Sequence, residues 1–177
     1  GIHIINLEET IRCIEKADKE ISKITNGGGN ILFVGTKNQV KDVVQEAADE
    51  CGMFYIVERW LGGTLTNFAT IKKSIKRLEK VEKESSSLYK NLTKKETIML
   101  ERERIKLSDL HRGIKDMKYI PSAVFVVDVK LEKIAVDEAK VLGIPVFGIV
   151  DTNTNPNLID YPIPANDDSI KTVKLIL

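Results

Sequence analysis

The chain is poor in the residues from which most metal and nucleophilic sites are built. In 177 residues it has two cysteines, Cys13 and Cys51, and two histidines, His3 and His111. The cysteines are far apart and lack ligand spacing, so neither a disulfide framework nor a cysteine–histidine zinc cluster is expected. They read as small buried hydrophobes of a reducing compartment. No apolar run reaches the ~18 residues of a membrane helix. The opening Gly1-Ile-His-Ile-Ile-Asn6 has no signal-peptide pattern; it reads as mid-protein sequence, as does the lack of an initiator methionine. Net charge is also nearly absent, at +1.

What is present suits a folded protein. Hydrophobic residues make up 42% and charged residues 30%, which excludes gross disorder. At ~150 residues per domain the length fits one domain with an appendage. The small net charge conceals an asymmetry. From Lys72 to Lys118 there are 15 basic and 8 acidic residues, a net +7; the remainder has 12 and 18, a net −6. A basic appendage on an acidic body points to nucleic acid, with a solvated helical face as the competing explanation.

Strands and helices alternate through the body. Asn6 opens a helix through Leu7, Ile11, Ile14, Ala17, Ile21 and Ile24, with Glu9 placed as in a capping box. Gly27-Gly-Gly29 follows a helix and precedes a strand, so it reads as a helix stop rather than a dinucleotide loop. Thr36 and Gln39 form a second capping box ahead of Val40, Val43, Val44 and Ala47. A further helix contains Ile134, Ala135, Ala139 and Leu142, and Asn166 opens the last one. Strands are predicted at Ile2–Ile5, Ile31–Gly35, Phe54–Val57, Ala123–Asp128 and Val146–Asp151, with a candidate edge strand near Ile163. The class is α/β, with a five-stranded, mainly parallel, doubly wound sheet of the flavodoxin or Rossmann kind.

Between the third and fourth of these strands the pattern breaks. Phe68, Ile71, Ile75, Leu78 and Val81 keep three-four spacing, Ser85-Ser-Ser87 reads as a breaker, and Thr93 with Glu96 forms another capping box. Leu100, Leu107, Leu110, Ile114 and Met117 then recur at near-heptad spacing. This predicts an inserted antiparallel helical hairpin of coiled-coil character over residues 68–117. The α/β domain is then discontinuous, 1–67 and 118–177.

Three features compete for function. Gly35-Thr-Lys37 follows a buried strand, where backbone N–H groups can bind an anion, but the P-loop pattern is incomplete. Asp128 and Asp151 end strands where α/β ligands bind; they could hold magnesium, or cap the segments that follow, which is the reading adopted. The third is Glu58-Arg-Trp-Leu-Gly-Gly-Thr-Leu-Thr-Asn67, with the only tryptophan and a glycine pair open to unusual backbone paths. It suits a structural turn and an RNA surface equally.

Several blocks together are specific. Ile31-Leu-Phe-Val-Gly-Thr-Lys37, Glu58-Arg-Trp-Leu-Gly-Gly-Thr-Leu-Thr-Asn-Phe68, Gly113-Ile-Lys-Asp-Met117 and Asp160-Tyr-Pro-Ile-Pro-Ala-Asn-Asp-Asp168 resemble the S-two family of small-subunit ribosomal proteins, of bacterial or organellar type. Phe125-Val-Val-Asp128, Gly143-Ile-Pro145 and Ile149-Val-Asp-Thr-Asn153 match as well, in the family's order. Where the family usually has paired glycine before Ile-Lys-Asp-Met, this chain has His111-Arg112-Gly113. The resemblance implies an α/β domain with a projecting hairpin and a non-enzymatic constituent of the small ribosomal subunit. It further implies binding to small-subunit RNA and to neighbouring ribosomal proteins, including protein one where present. No cofactor, metal, membrane or small-molecule substrate is implied. The location would be the bacterial cytoplasm, or a mitochondrion or plastid if organellar. Two other classes compete: a flavodoxin-like nucleotide or phosphate enzyme using the Gly35 loop, Asp128 and Asp151, and an interaction module built on the hairpin alone. For RNA, the expected contacts are Lys37, Arg59, Lys72, Lys73, Lys76 and Arg77 to phosphate, with Thr64, Thr66 and Asn67 adding hydrogen bonds. These residues are expected to form one continuous positive surface near the carboxyl edge of the sheet.

Overall fold

The computed structural model describes residues 3–88 and 93–177. Helix α1 (Leu7–Asn26) leads into β1 (Ile31–Val34), α2 (Lys41–Glu50) and β2 (Phe54–Ile56). Helices α3 (Phe68–Leu88) and α4 (Lys94–His111) come next, then β3 (Ala123–Val127), α5 (Lys133–Val141), β4 (Val146–Val150), β5 (Tyr161–Pro164) and α6 (Ile170–Ile176). The five strands form one all-parallel sheet in the order β2-β1-β3-β4-β5.

Continuous apolar runs become strands here because both faces of the sheet are covered. Alternate residues feed separate cores. On one face Leu32, Val34, Val124, Val126 and Val146 pack with Phe68, Ile71 and Ile75 of α3, and with Ala135, Val136 and Ala139 of α5. On the other, Phe33, Phe125, Val127, Phe147 and Ile149 pack with Ala17 of α1, Val44 and Ala48 of α2 and Val173 of α6.

The fifth strand is the candidate edge strand near Ile163, not the one predicted at Ile2–Ile5. His3 to Ile5 form no strand and Ile4 is 97% exposed, while Ile2 lies outside the described residues. The sheet is completed by Tyr161–Pro164 beside β4. Pro162 and Pro164 lack N–H donors, and an edge strand tolerates that loss. Thr10 of α1 pins this edge by donating its hydroxyl to the Pro164 carbonyl at 2.6 Å.

Other local expectations shift. Asn6 caps α1 by accepting from Glu8 N–H, but Leu7 and Ile11 remain 72% and 57% exposed. Helix α2 begins only at Lys41, without a side-chain cap, so Thr36 and Gln39 do not form a capping box. Ser169, not Asn166, caps α6. The Thr93–Glu96 capping box is present. Ser85-Ser-Ser87 does not stop α3, which continues to Leu88, because serine is only a mild helix breaker. Helix α4 ends at His111, and Ile114 and Met117 are buried from the turns beyond it. Both thiols are free, with Cys13 half-buried and Cys51 exposed, so neither is the fully buried hydrophobe expected.

Helices α3 and α4 pack as an antiparallel pair. Ser74 Oγ lies 2.8 Å from His111 Nε2, and Arg77 pairs with Glu103 at 3.1 Å, so one helix ascends as the other descends. Ile71, Ile75 and Leu78 of α3 are buried, so the base of the hairpin belongs to the body's core.

Candidate nucleic-acid interface

The loop after β2 is built around a residue far away in sequence. Glu138 of α5, 8% exposed, accepts hydrogen bonds from Trp60 Nε1 (3.1 Å), Gly63 N (2.7 Å), Leu65 N (2.9 Å) and Thr66 N (3.1 Å), and from the Thr66 hydroxyl (3.1 Å). Burial opposes its charge, but the Thr66, Trp60, Gly63 and Leu65 donors prevail and hold its pKa below the ordinary carboxylate value. Gly63 has φ +87°, a conformation glycine adopts without strain. The loop is thus wrapped on a buried carboxylate, and two of the predicted RNA contacts serve that packing. Thr64 is 1% exposed and donates its hydroxyl to the Leu61 carbonyl at 2.5 Å. Thr66 is exposed with its hydroxyl on Glu138. Asn67 accepts from the Thr70 hydroxyl at 2.9 Å at the start of α3.

The predicted cations occupy three surroundings. Lys72, Lys76, Lys115 and Lys118 line an open groove of about 610 Å³. Lys73 and Lys76 are exposed, and Lys72 Nζ lies 5.1 Å from the centre of the Phe68 ring. Arg77 turns toward α4 and its Glu103 partner. Exposed Arg59 lines a different groove, of about 540 Å³, with Arg102 and Lys106 of α4 beside Glu58 and Asp109. These two grooves share no lining residue. On the wheel of α3, Lys72 and Lys76 follow the buried Ile71 and Ile75 by one position, while Ser74 and Arg77 precede Ile75 and Leu78 and meet α4. These cations therefore line two grooves rather than one.

Lys37 is the outlier. Its ammonium meets Asp167 at 3.0 Å and Asp128 at 3.5 Å, and also pairs with Asp168. Burial opposes its charge, but the carboxylates of Asp168, Asp167 and Asp128 outweigh that and raise its pKa. One ammonium does not neutralise this crowd. Asp167, 2% exposed, has its pKa raised by burial, with Asp128 and Asp151 adding repulsion and Lys37 opposing them. Oxygens of Asp151, Asp167 and Asp168 lie within 4.8 Å of one another, a spacing that can hold a cation. Asp128 has φ +67° and accepts from Leu131 N–H at 3.0 Å, so it also turns the chain into the next segment. Asp151 does the same through Thr152 N–H at 2.5 Å.

This edge does not suit a phosphate. The Thr36 N–H and hydroxyl, the donors an anion would need, both go to buried Glu132, at 2.8 and 2.5 Å. Burial raises the Glu132 pKa against those two hydrogen bonds. Carboxylates surround the loop that an NTP-like ligand would occupy. Glu132 and Glu138 were both missed at the sequence level, since an isolated glutamate in a helical stretch carries no local signal.

At the hairpin base His111 is fully buried, its Nδ1 has no hydrogen-bond partner among the described residues, and burial lowers its pKa. The unfolded chain, with a histidine near the ordinary 6.5, binds the proton more readily. Stability from this site is therefore complete above about pH 6.5 and declines as pH falls below it. Urea midpoints at pH 7.5 and pH 5.5 should differ, and His111→Gln should flatten that difference.

The sequence model of the family Ribosomal protein S2 matches residues 1–177. The chain is 51% identical over 178 residues to "Small ribosomal subunit protein uS2" of Fusobacterium nucleatum subsp. nucleatum, covering 99% of this chain and 72% of that relative. It is 54% identical over 178 residues to the protein of the same name from onion yellows phytoplasma, covering 100% of this chain and 66% of that relative. The blocks Val34-Gly-Thr-Lys37, Val127-Asp128, Val150-Asp151 and Asn166-Asp-Asp168 converge at the carboxyl edge of the sheet, and with a family match along the full chain the protein belongs to the ribosomal protein S2 family.

Proposed function

We propose that this chain is a structural constituent of the small ribosomal subunit, binding its RNA and neighbouring ribosomal proteins without catalysing a reaction. Family membership supports this reading, and charge separation carries it: a net +7 on Lys72–Lys118 against −6 elsewhere. RNA phosphates attract the basic hairpin and repel the acidic body, so charge alone orients the protein. The bacterial relatives bear a small-subunit name, which supports a place on the cytoplasmic ribosome. Among partner proteins, ribosomal protein one is a reasonable neighbour on family grounds.

Residues 68–117 act in this reading as an inserted arm on a body formed by 1–67 and 118–177. The phosphate contacts fall to Lys72, Lys73, Lys76 and Arg77 on α3 and to Arg59 beside α4. Thr64 and Thr66 hold the loop that leads into α3 and Asn67 starts that helix, while Lys37 lies among the carboxylates of Asp128, Asp167 and Asp168. Changing Lys72, Lys73, Lys76 and Arg77 together to alanine should lower the log–log salt slope of RNA binding by roughly three to four units, about one per contact. Incorporation into subunits lacking this protein should fall in parallel. A folded variant unchanged in both would leave α3 a solvated face.

A further inference from the structure

The segment joining the hairpin to β3 presents an aromatic ring to solvent. Met117 is 3% exposed and Pro121 is buried, while Ser122 N–H donates to the Asn30 carbonyl at 2.8 Å, so both ends of the segment are fixed. Between them Tyr119 is 79% exposed. Lys72 Nζ sits 5.7 Å from the centre of its ring, tying it to the basic flank of α3. Tyr119 thereby adjoins the groove lined by Lys72, Lys76, Lys115 and Lys118. Lys115 is paired with Glu82 at 2.6 Å, whereas Lys76 and Lys118 have no ion-pair partner among the described residues.

We propose that Tyr119 is a stacking platform for an unpaired RNA base, whose flanking phosphates are held by Lys72, Lys76 and Lys118. The proposal rests on the ribosomal reading above and deepens it. Single-stranded RNA is bound where a cationic track runs beside an exposed aromatic face, because every base offers a π surface and every linkage a charge. A duplex hides its bases and would use only the lysines. An apolar protein partner fits less well, since four lysines against Glu79 and Asp116 leave the groove basic.

The test uses the full chain, an oligouridylate eight-mer, an RNA duplex of similar length and small subunits lacking this protein. Tyr119→Ala should weaken eight-mer binding on the order of 5- to 100-fold while leaving duplex affinity and the salt slope unchanged. Tyr119→Phe, which keeps the ring, should bind as the parent does. Lys76→Ala with Lys118→Ala should lower the salt slope for both RNAs by about two units. Parental eight-mer binding by Tyr119→Ala, or an equal loss on duplex, overturns the stacking role. So does lost subunit incorporation with RNA affinity intact, which would make Tyr119 a protein contact. A parent chain that neither binds RNA nor joins subunits fails differently, because it overturns the ribosomal reading itself.

Discussion

Glu138→Ala is expected to destabilise the protein by about 4 kcal/mol, with the loop at residues 58–67 losing its shape first. The carboxylate accepts five hydrogen bonds from Trp60, Gly63, Leu65 and Thr66. Truncation leaves those donors unpartnered, and each buried unsatisfied donor costs about 1–3 kcal/mol before relaxation. Trp60 is 8% exposed and is the only tryptophan, so its emission reports the site directly. The variant should show a red-shifted emission and a lower urea midpoint. Glu138→Gln should fall between the two, because one amide oxygen still accepts while the amide NH₂ faces other donors. The folded pKa of Glu138 lies below the ordinary 4.5, so its contribution is present above that value and is lost as pH falls through the folded one. The stabilisation of this loop should therefore weaken as pH falls below about 4.5.

Gly113→Ala is the second large effect, about 3 kcal/mol or more, because the site has no room for a methyl group. A β-carbon there would meet the Tyr55 carbonyl oxygen at 2.2 Å and two carbons of its ring at 2.5 and 2.7 Å. Backbone cannot step aside as a flexible side chain can. The clash falls where Tyr55 N–H donates to the Gly113 carbonyl at 3.1 Å, holding the turn after α4 against edge strand β2. The substitution should separate the hairpin's return from the sheet. Amide exchange at Tyr55 should accelerate along with the drop in stability. Unchanged exchange with an unchanged urea midpoint would show that the turn tolerates a side chain. The neighbouring Arg112–Glu58 pair at 3.1 Å is partly exposed to solvent, and its loss should matter much less.

Most of the architecture was legible in the sequence because its signals are local and repeated. Ile31-Leu-Phe-Val34 and Val124-Phe-Val-Val127 are unbroken apolar runs, and only a strand covered on both faces satisfies them. The three-four spacing of Phe68, Ile71, Ile75, Leu78 and Val81 gave the buried stripe of α3, and Thr93 with Glu96 gave the start of α4. Errors fell where a local signal competes with a distant partner. Ile2–Ile5 has strand composition, yet His3 to Ile5 form no strand, and the place beside β4 is taken by Tyr161–Pro164. Thr36 has a capping-box sequence, yet Glu132 takes its hydroxyl across 96 positions.

The site divides along the same line. Charge is additive along the chain, so the basic hairpin and acidic body were fixed by composition and order alone. Which cations face outward was decided by packing. Lys37 differs from Lys76 only because β1, β3 and the segment before α6 bring Asp128, Asp167 and Asp168 around it. Thr66 is exposed, yet its N–H and hydroxyl both go to Glu138 on a helix some 70 positions on, and Thr64 is buried with its hydroxyl on the Leu61 carbonyl. The helix wheel of α3 splits a continuous run of lysines and arginine between a groove and a partner helix. Hydrogen bonds and ion pairs act over about 3 Å of space regardless of sequence separation. Periodicity and charge could therefore be read from the chain, while the fate of each polar side chain was decided only by the fold.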